Sequence, residues 1–325
     1  MKHLTALLLA AFTLAASIPA RCDAETIRLA VQKTGTLAWE LAVIRAHDLD
    51  RQANLSIELV ELASPEAGKI ALRAGSADII VSDWLWVSRE RSLGGKLAFY
   101  PYSSSLGAVM VPNASPLKTL ADLRGHTLAV AGGPIDKSWL LLQAAMKQDG
   151  TDLKAEASII YGAPPLLAAK ALSGEADATL NYWNFCAALE AKGFRRLAGI
   201  EEILPGLGAK GRTAMVGYVF DEGWANSHAE LVARFIAMTR KAKEILSSSD
   251  AEWDNMQSLI GATDAATLRV YRDRYREGIP RRPISEEEQD AHILYGVLSK
   301  IGGRDLVGGA PQLDPGTFYH GIPGE

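Results

Sequence analysis

The sequence predicts an α/β protein built as two doubly wound lobes with a ligand cleft between them. Three observations predict it. The first is a repeat. Gly75-Ser76-Ala77-Asp78-Ile79-Ile80-Val81-Ser82-Asp83-Trp84 and Gly174-Glu175-Ala176-Asp177-Ala178-Thr179-Leu180-Asn181-Tyr182-Trp183 share Gly, Ala, Asp and Trp in register, at an offset of 99 residues. The second is a β-α-β-α-β order in the segment that leads to each copy. The third is size: 325 residues with 48% hydrophobic composition suffice for two cores.

Taken in order, Lys2 followed by the apolar run Leu4 to Ala16 predicts a signal peptide over residues 1–24, cleaved after Ala20 or Ala24. Arg21 stands where lipidation of Cys22 would need a small residue. Thr26 to Gln32 reads as a strand and Leu37 to His47 as a helix. Leu55 to Leu62 reads as a second strand. Ser64-Pro65 starts a helix, with Ser as N-cap and Pro in the first turn, and Gly75 ends it before a third strand. The offset then maps Leu29-Ala30-Val31 onto Leu128-Ala129-Val130, Leu41 onto Leu140, Ala46 onto Ala145, Asp50 onto Asp149, Pro65 onto Pro164 and Gly94 onto Gly193. Apolar and Gly matches are generic to such units. The Pro, both Asp and the Trp are not, so the pattern predicts a structural repeat.

Lys96 to Tyr102, Ala108 to Pro112 and Thr213 to Phe220 read as further strands, with hinges expected near 103–110 and 213–219. Residues 25–110 and 220–325 are expected to form lobe 1, and 111–219 lobe 2. Helices are predicted over Ser227–Leu246, Ala251–Ile260, Ala265–Tyr275 and Ser285–Ile301, and a loop from Gly302. The Arg269–Arg282 cluster reads as a solvated helix face with pairs such as Arg269–Asp273. A net charge of −4 gives no reason to expect nucleic acid as a partner.

Leu120-Ala121-Asp122-Leu123-Arg124-Gly125-His126-Thr127-Leu128-Ala129-Val130, the Gly-rich turn into a helix Gly132 to Gly150, and the paired Ala-Leu-x-x-Gly-x-Ala-Asp segments carry a family resemblance. With them the chain resembles the periplasmic solute-binding proteins of ABC importers, in the branch of sulfonate, taurine, nitrate and pyrimidine-precursor binders. The resemblance covers about residues 25 to 245. It implies a type II periplasmic-binding-protein-like fold with two crossovers, a small-molecule ligand, an ABC permease in the inner membrane as partner, a periplasmic location and a monomer. No cofactor and no catalytic or metal-binding residue is expected.

Candidate ligand-binding residues follow from strand ends and helix starts. Unpartnered N–H groups at a helix N-terminus attract anions, which brings in Lys33, Thr34, Gly35 and Thr36, and Gly133, Ile135, Asp136 and Lys137. Thr36 and Asp136 are also readable as ordinary caps. Ser82, Asp83, Trp84, Asn181, Tyr182 and Trp183 supply stacking area with polar neighbours, with both Trp also readable as core. Tyr161 and Tyr218 are lesser candidates. Asp83 and Asp136 beside the aromatics favour a neutral or partly cationic ligand, and Lys33 and Lys137 an anion. A zwitterion or a polar heterocycle would satisfy both.

Against catalysis, the six histidines are scattered, no His-x-x-x-His spacing occurs, and no Gly-x-Ser-x-Gly elbow or phosphate-cradling Walker loop is found. The cysteine-rich motif of the pyrimidine-synthesis relatives is missing. An enzyme on the same fold, a periplasmic sensor and a metal-chelate binder remain as alternatives.

Overall fold

The computed structural model describes residues 24–32 and 35–323, so the expected signal segment up to Asp23, and Lys33 and Thr34, lie outside the described residues. Ten strands among the described residues form two layers. The first holds β1 (Glu25–Gln32), β2 (Leu55–Leu62), β3 (Ile80–Asp83), β4 (Leu97–Ser103) and β10 (Val216–Asp221). Its order is β2-β1 beside β3-β10-β4, with a parallel bridge from Leu29 to Ile79 joining the two parts. The second holds β5 (Gly107–Pro112), β6 (Thr127–Ala131), β7 (Ser158–Gly162), β8 (Ala178–Tyr182) and β9 (Phe194–Gly199), in the order β7-β6-β8-β5-β9.

The two orders are the same topology. β1 pairs parallel with β2, and β6 parallel with both β7 and β8; β10 and β5 run antiparallel to β3 and β8 respectively. The repeat is therefore structural, and the helices Pro65–Arg73 and Pro164–Leu172 coincide residue for residue at the 99-residue offset. Ser64 caps the first of them by accepting from Ala67 N at 3.2 Å. The repeated Asp has a physical job. Asp78 Oδ2 accepts the N–H of Arg28, and Asp177 Oδ2 that of Thr127, each at 2.7 Å. Each carboxylate thus satisfies a backbone donor of a strand in its own layer, within β1 for Arg28 and at the first residue of β6 for Thr127. Gly75 and Gly174, at φ +67° and +77°, supply the left-handed stop that precedes it.

The chain crosses between layers at 104–106 and again before Val216. The boundaries expected at 110/111 and 219/220 thus fall inside β5 and β10, and each strand belongs whole to one sheet. The reason is burial: both strands are almost wholly buried, and each pairs on both sides, which fixes it in its sheet. The first crossing is tight. A Cβ on Gly107 would sit 2.0 Å from the Asn181 carbonyl oxygen.

Helix Ala229–Ser248 packs on Leu37–Ala46 of the first lobe. Helices Ala265–Glu277 and Ile284–Val307 instead lean on Trp183–Glu190 and Lys137–Gln148 of the second. The expected loop from Gly302 is helical to Val307, with a kink at Gly303. The arginines are mostly paired: Arg272 and Arg276 share Asp250, Arg274 grips Glu190, and Asp273 takes Arg272 rather than Arg269. Among the described residues no helix is long and apolar enough to cross a membrane.

Candidate functional site

Strand ends and helix starts of the two lobes meet along two seams. The first is ionic. Asp83 ends β3 and caps helix Trp84–Ser92, accepting from Trp86 N at 2.9 Å through Oδ1. Its Oδ2 accepts from Lys137 Nζ at 3.1 Å, and Lys137 is the first residue of helix Lys137–Gln148 in the other lobe. Burial pushes the Asp83 carboxyl up, but the charges of Lys137 and Lys69 and the hydrogen bonds from Trp86 N–H and Lys137 outweigh it and hold it below the usual value. Burial pulls Lys137 down, while Asp83 and Asp136 more than restore it. Both shifts agree on an ion pair.

Beside it, Asp136 caps the second-lobe helix by accepting from Ser138 N at 2.9 Å, and also accepts from the Tyr182 hydroxyl at 3.2 Å. Burial raises its carboxyl. The capping role settles why an acid stands at this helix start.

The second seam is aromatic. Trp183, first residue of its helix, meets Trp39 of the first lobe edge-on, with centroids 5.7 Å apart. Tyr271, Tyr275 and Trp253 complete the cluster around Trp39. Sequence reasoning missed Trp39. It lies three residues past Thr36, and helical spacing places it near the same end of the helix.

Beneath Thr36 lies a buried polar network. Glu40 is fully buried and bound by Lys243 Nζ at 2.5 Å and by Tyr218 Oη at 2.6 Å, with Tyr275 Oη at 3.4 Å. Thr36 Oγ1 and Tyr102 Oη lie 3.4 Å apart. Burial lowers the Lys243 pKa, opposed by Glu40. Burial, then Glu40, raises the hydroxyl of Tyr218 well above its ordinary value.

The other expected residues divide between surface and interior. Gly35, Thr36, Gly133, Tyr161, Tyr182 and Trp183 are half-buried, and Ile135 is exposed. Trp84 is wholly buried, which matches its alternative reading as core, and the first-lobe ring that meets Trp183 is Trp39. Trp84 opens a helix whose first five residues are all buried, which turns its ring into the core. Asn181 is spent on structure, donating to Pro164 O at 3.0 Å and accepting from Tyr182 N at 2.9 Å. Ser82 is buried in β3, and Tyr218 is committed to Glu40. Among the described residues no group of three or more His, Cys, Asp or Glu is placed to hold a metal ion.

The two matching sheets, the double crossing and the meeting of strand ends define a type II periplasmic-binding-protein fold. Solved structures agree. The chain is similar to the periplasmic aliphatic sulphonate-binding protein SsuA of Escherichia coli, at 21% identity and TM-score 0.69 over 87% of this chain and 94% of that one. It is similar to the alkanesulfonate-binding protein SsuA of Xanthomonas axonopodis pv. citri bound to MOPS, at 20% and 0.65 over 87% and 96%. It is also similar to the desulfurization enzyme DszB, at 15% and 0.55 over 87% and 97%. No curated protein matches the chain. The family described as NMT1/THI5 like matches residues 49–250, and the chain belongs to that family.

Proposed function

We propose that the chain is the extracytoplasmic solute-binding component of an ABC importer, which captures a small polar or heterocyclic molecule between its lobes and delivers it to a permease in the inner membrane. The observation that carries this is the convergence, at one interlobe face, of helix N-termini and strand ends from both halves. The SsuA-like relatives support it. Lobe 1 comprises the first sheet with its helices and lobe 2 the second, and the hinges lie at 104–106 and in the segment before Val216. Thr36, Gly35, Gly133, Tyr182 and Trp183, joined by Trp39, are the proposed contacts. A monomer in the periplasm, with no nucleic-acid partner, fits this role.

An enzyme on the same fold is the competing reading, since DszB shares it. The cysteine of the described residues works against thiolate chemistry: Cys186 is fully buried, and burial pushes its thiol up to about 12. The test is a thermal-shift screen of the mature protein with sulfonates, pyrimidines, quaternary amines and aromatic acids. A ligand should raise Tm by mass action and do so less in Trp183→Ala. Turnover of a stabilising compound would favour the enzyme.

A further inference from the structure

We propose that the Asp83–Lys137 pair is a clasp between the lobes, which holds them together and sets the fraction of molecules competent to keep a ligand, rather than touching the ligand itself. It rests on the proposed function only in taking the lobes to move against each other. Both Asp83 oxygens are committed, Oδ1 to Trp86 N and Oδ2 to Lys137. The two side chains are 13% and 28% exposed, shielded enough to couple more strongly than a surface pair. Lys137 sits at the first position of its helix, where the macrodipole disfavours a cation. Its own helix therefore gives no reason for a lysine, and the carboxylate from the other lobe does. Lys69 and Glu66 from helix Pro65–Arg73, with Asp136 and Tyr182, are the other groups that sense the pair.

The repeat sharpens the argument. At the 99-residue offset the partner of Asp83 is Tyr182 and that of Lys137 is Ala38. The ion pair therefore has no symmetry mate and is not a by-product of duplicated strand ends. A clasp and a ligand contact differ in consequence. Loss of a clasp lowers the closed fraction and weakens every ligand by one common factor, on the order of ten for coupling of typical size. Loss of a contact reorders ligands.

The test needs no ligand. Small-angle X-ray scattering and near-UV circular dichroism are recorded for the wild type, Asp83→Asn, Lys137→Met and the double variant. Asparagine keeps an acceptor for the Trp86 cap, so Asp83→Asn removes charge without uncapping the helix. Trp183→Arg, which loads the aromatic seam with charge, serves as an opening control. Each single clasp variant should raise the radius of gyration, and the double no further than the larger single. Additive opening in the double would show that the two side chains act separately and would overturn the clasp. If Trp183→Arg opens the protein and the clasp variants do not, the clasp fails and the two-lobe reading stands. If no variant changes shape, both fail.

Discussion

The two seams between the lobes are built from the same repeated unit and yet differ in chemistry. One joins Asp83 to Lys137, the other Trp39 to Trp183. At the 99-residue offset the counterpart of Trp39 is Ser138 and that of Trp183 is Trp84. The duplicated scaffold fixed where the seams fall: at strand ends, where side chains of either lobe can meet. Divergence at single positions then decided what each seam does. The first lobe keeps its Trp as core. The second turns the matching Trp outward, onto a ring from the other lobe. The lesson is that a repeat conserves backbone requirements, such as the left-handed Gly and the Asp that accepts a strand N–H, more tightly than the surfaces it presents.

Substitutions in each lobe should separate the two halves. The largest effect is expected in the first lobe's buried network, whose Glu40 corresponds to Trp139 in the second. Lys243→Met leaves the fully buried Glu40 uncompensated and should cost about 3–5 kcal/mol in urea unfolding. A loss under about 1 kcal/mol would show that the tyrosine hydroxyls alone satisfy the carboxylate. Next come the paired tryptophans. Trp84→Ala should cost about 3–5 kcal/mol as a core truncation, and Trp183→Ala only about 1–2 kcal/mol as a half-buried one. Equal losses would place both rings in the core and remove Trp183 from the candidate site.

At the second crossing, a buried carboxyl should make stability depend on pH. Glu287 accepts from Ala214 N at 2.7 Å; burial pushes its carboxyl up to about 7, with Asp290 and Glu286 adding to the shift and Arg282 opposing it. Between the ordinary value of 4.5 and about 7 the folded chain holds a proton that the unfolded chain has shed. Glu287 therefore contributes stability that is present below that window and lost as pH rises through it. Glu287→Gln should remove a pH dependence worth up to about 3 kcal/mol, seen as a flatter Tm between pH 5 and 8 (roughly that window). An unchanged slope would show that Glu287 titrates normally. The smallest effect separates the two repeated aspartates. Asp78 also pairs with Arg28, whereas Asp177, among the described residues, has His126 at 3.4 Å as its ionisable partner. Asp78→Asn should cost about 1 kcal/mol and Asp177→Asn about 0.3 kcal/mol, since Asn still accepts the strand N–H.

Much of this architecture was legible in the sequence. Strand and helix limits around the repeat follow from Gly stops, the Ser64-Pro65 cap and apolar runs, because these act on the backbone locally. The positions of Asp83, Lys137 and Trp183, which make contacts between the lobes, were legible for the same reason: strand ends and helix starts are local features. Three things were not. Trp39 looked like one more apolar residue of a helix face. Trp84 and Asn181 looked like site residues by their company. The lobe limits expected at 110/111 and 219/220 cut through β5 and β10, whose sheet membership is set by pairing with strands distant in sequence.

The sequence by itself determined the duplicated α/β unit and the caps and stops of its elements, since each is set by neighbours within a few residues. The tertiary structure alone decided which charge meets which, which of two equivalent tryptophans is buried, and that Glu40 finds Lys243 some two hundred positions away. Those outcomes depend on the relative placement of whole sheets, and no local pattern of residues encodes the angle at which two lobes come together.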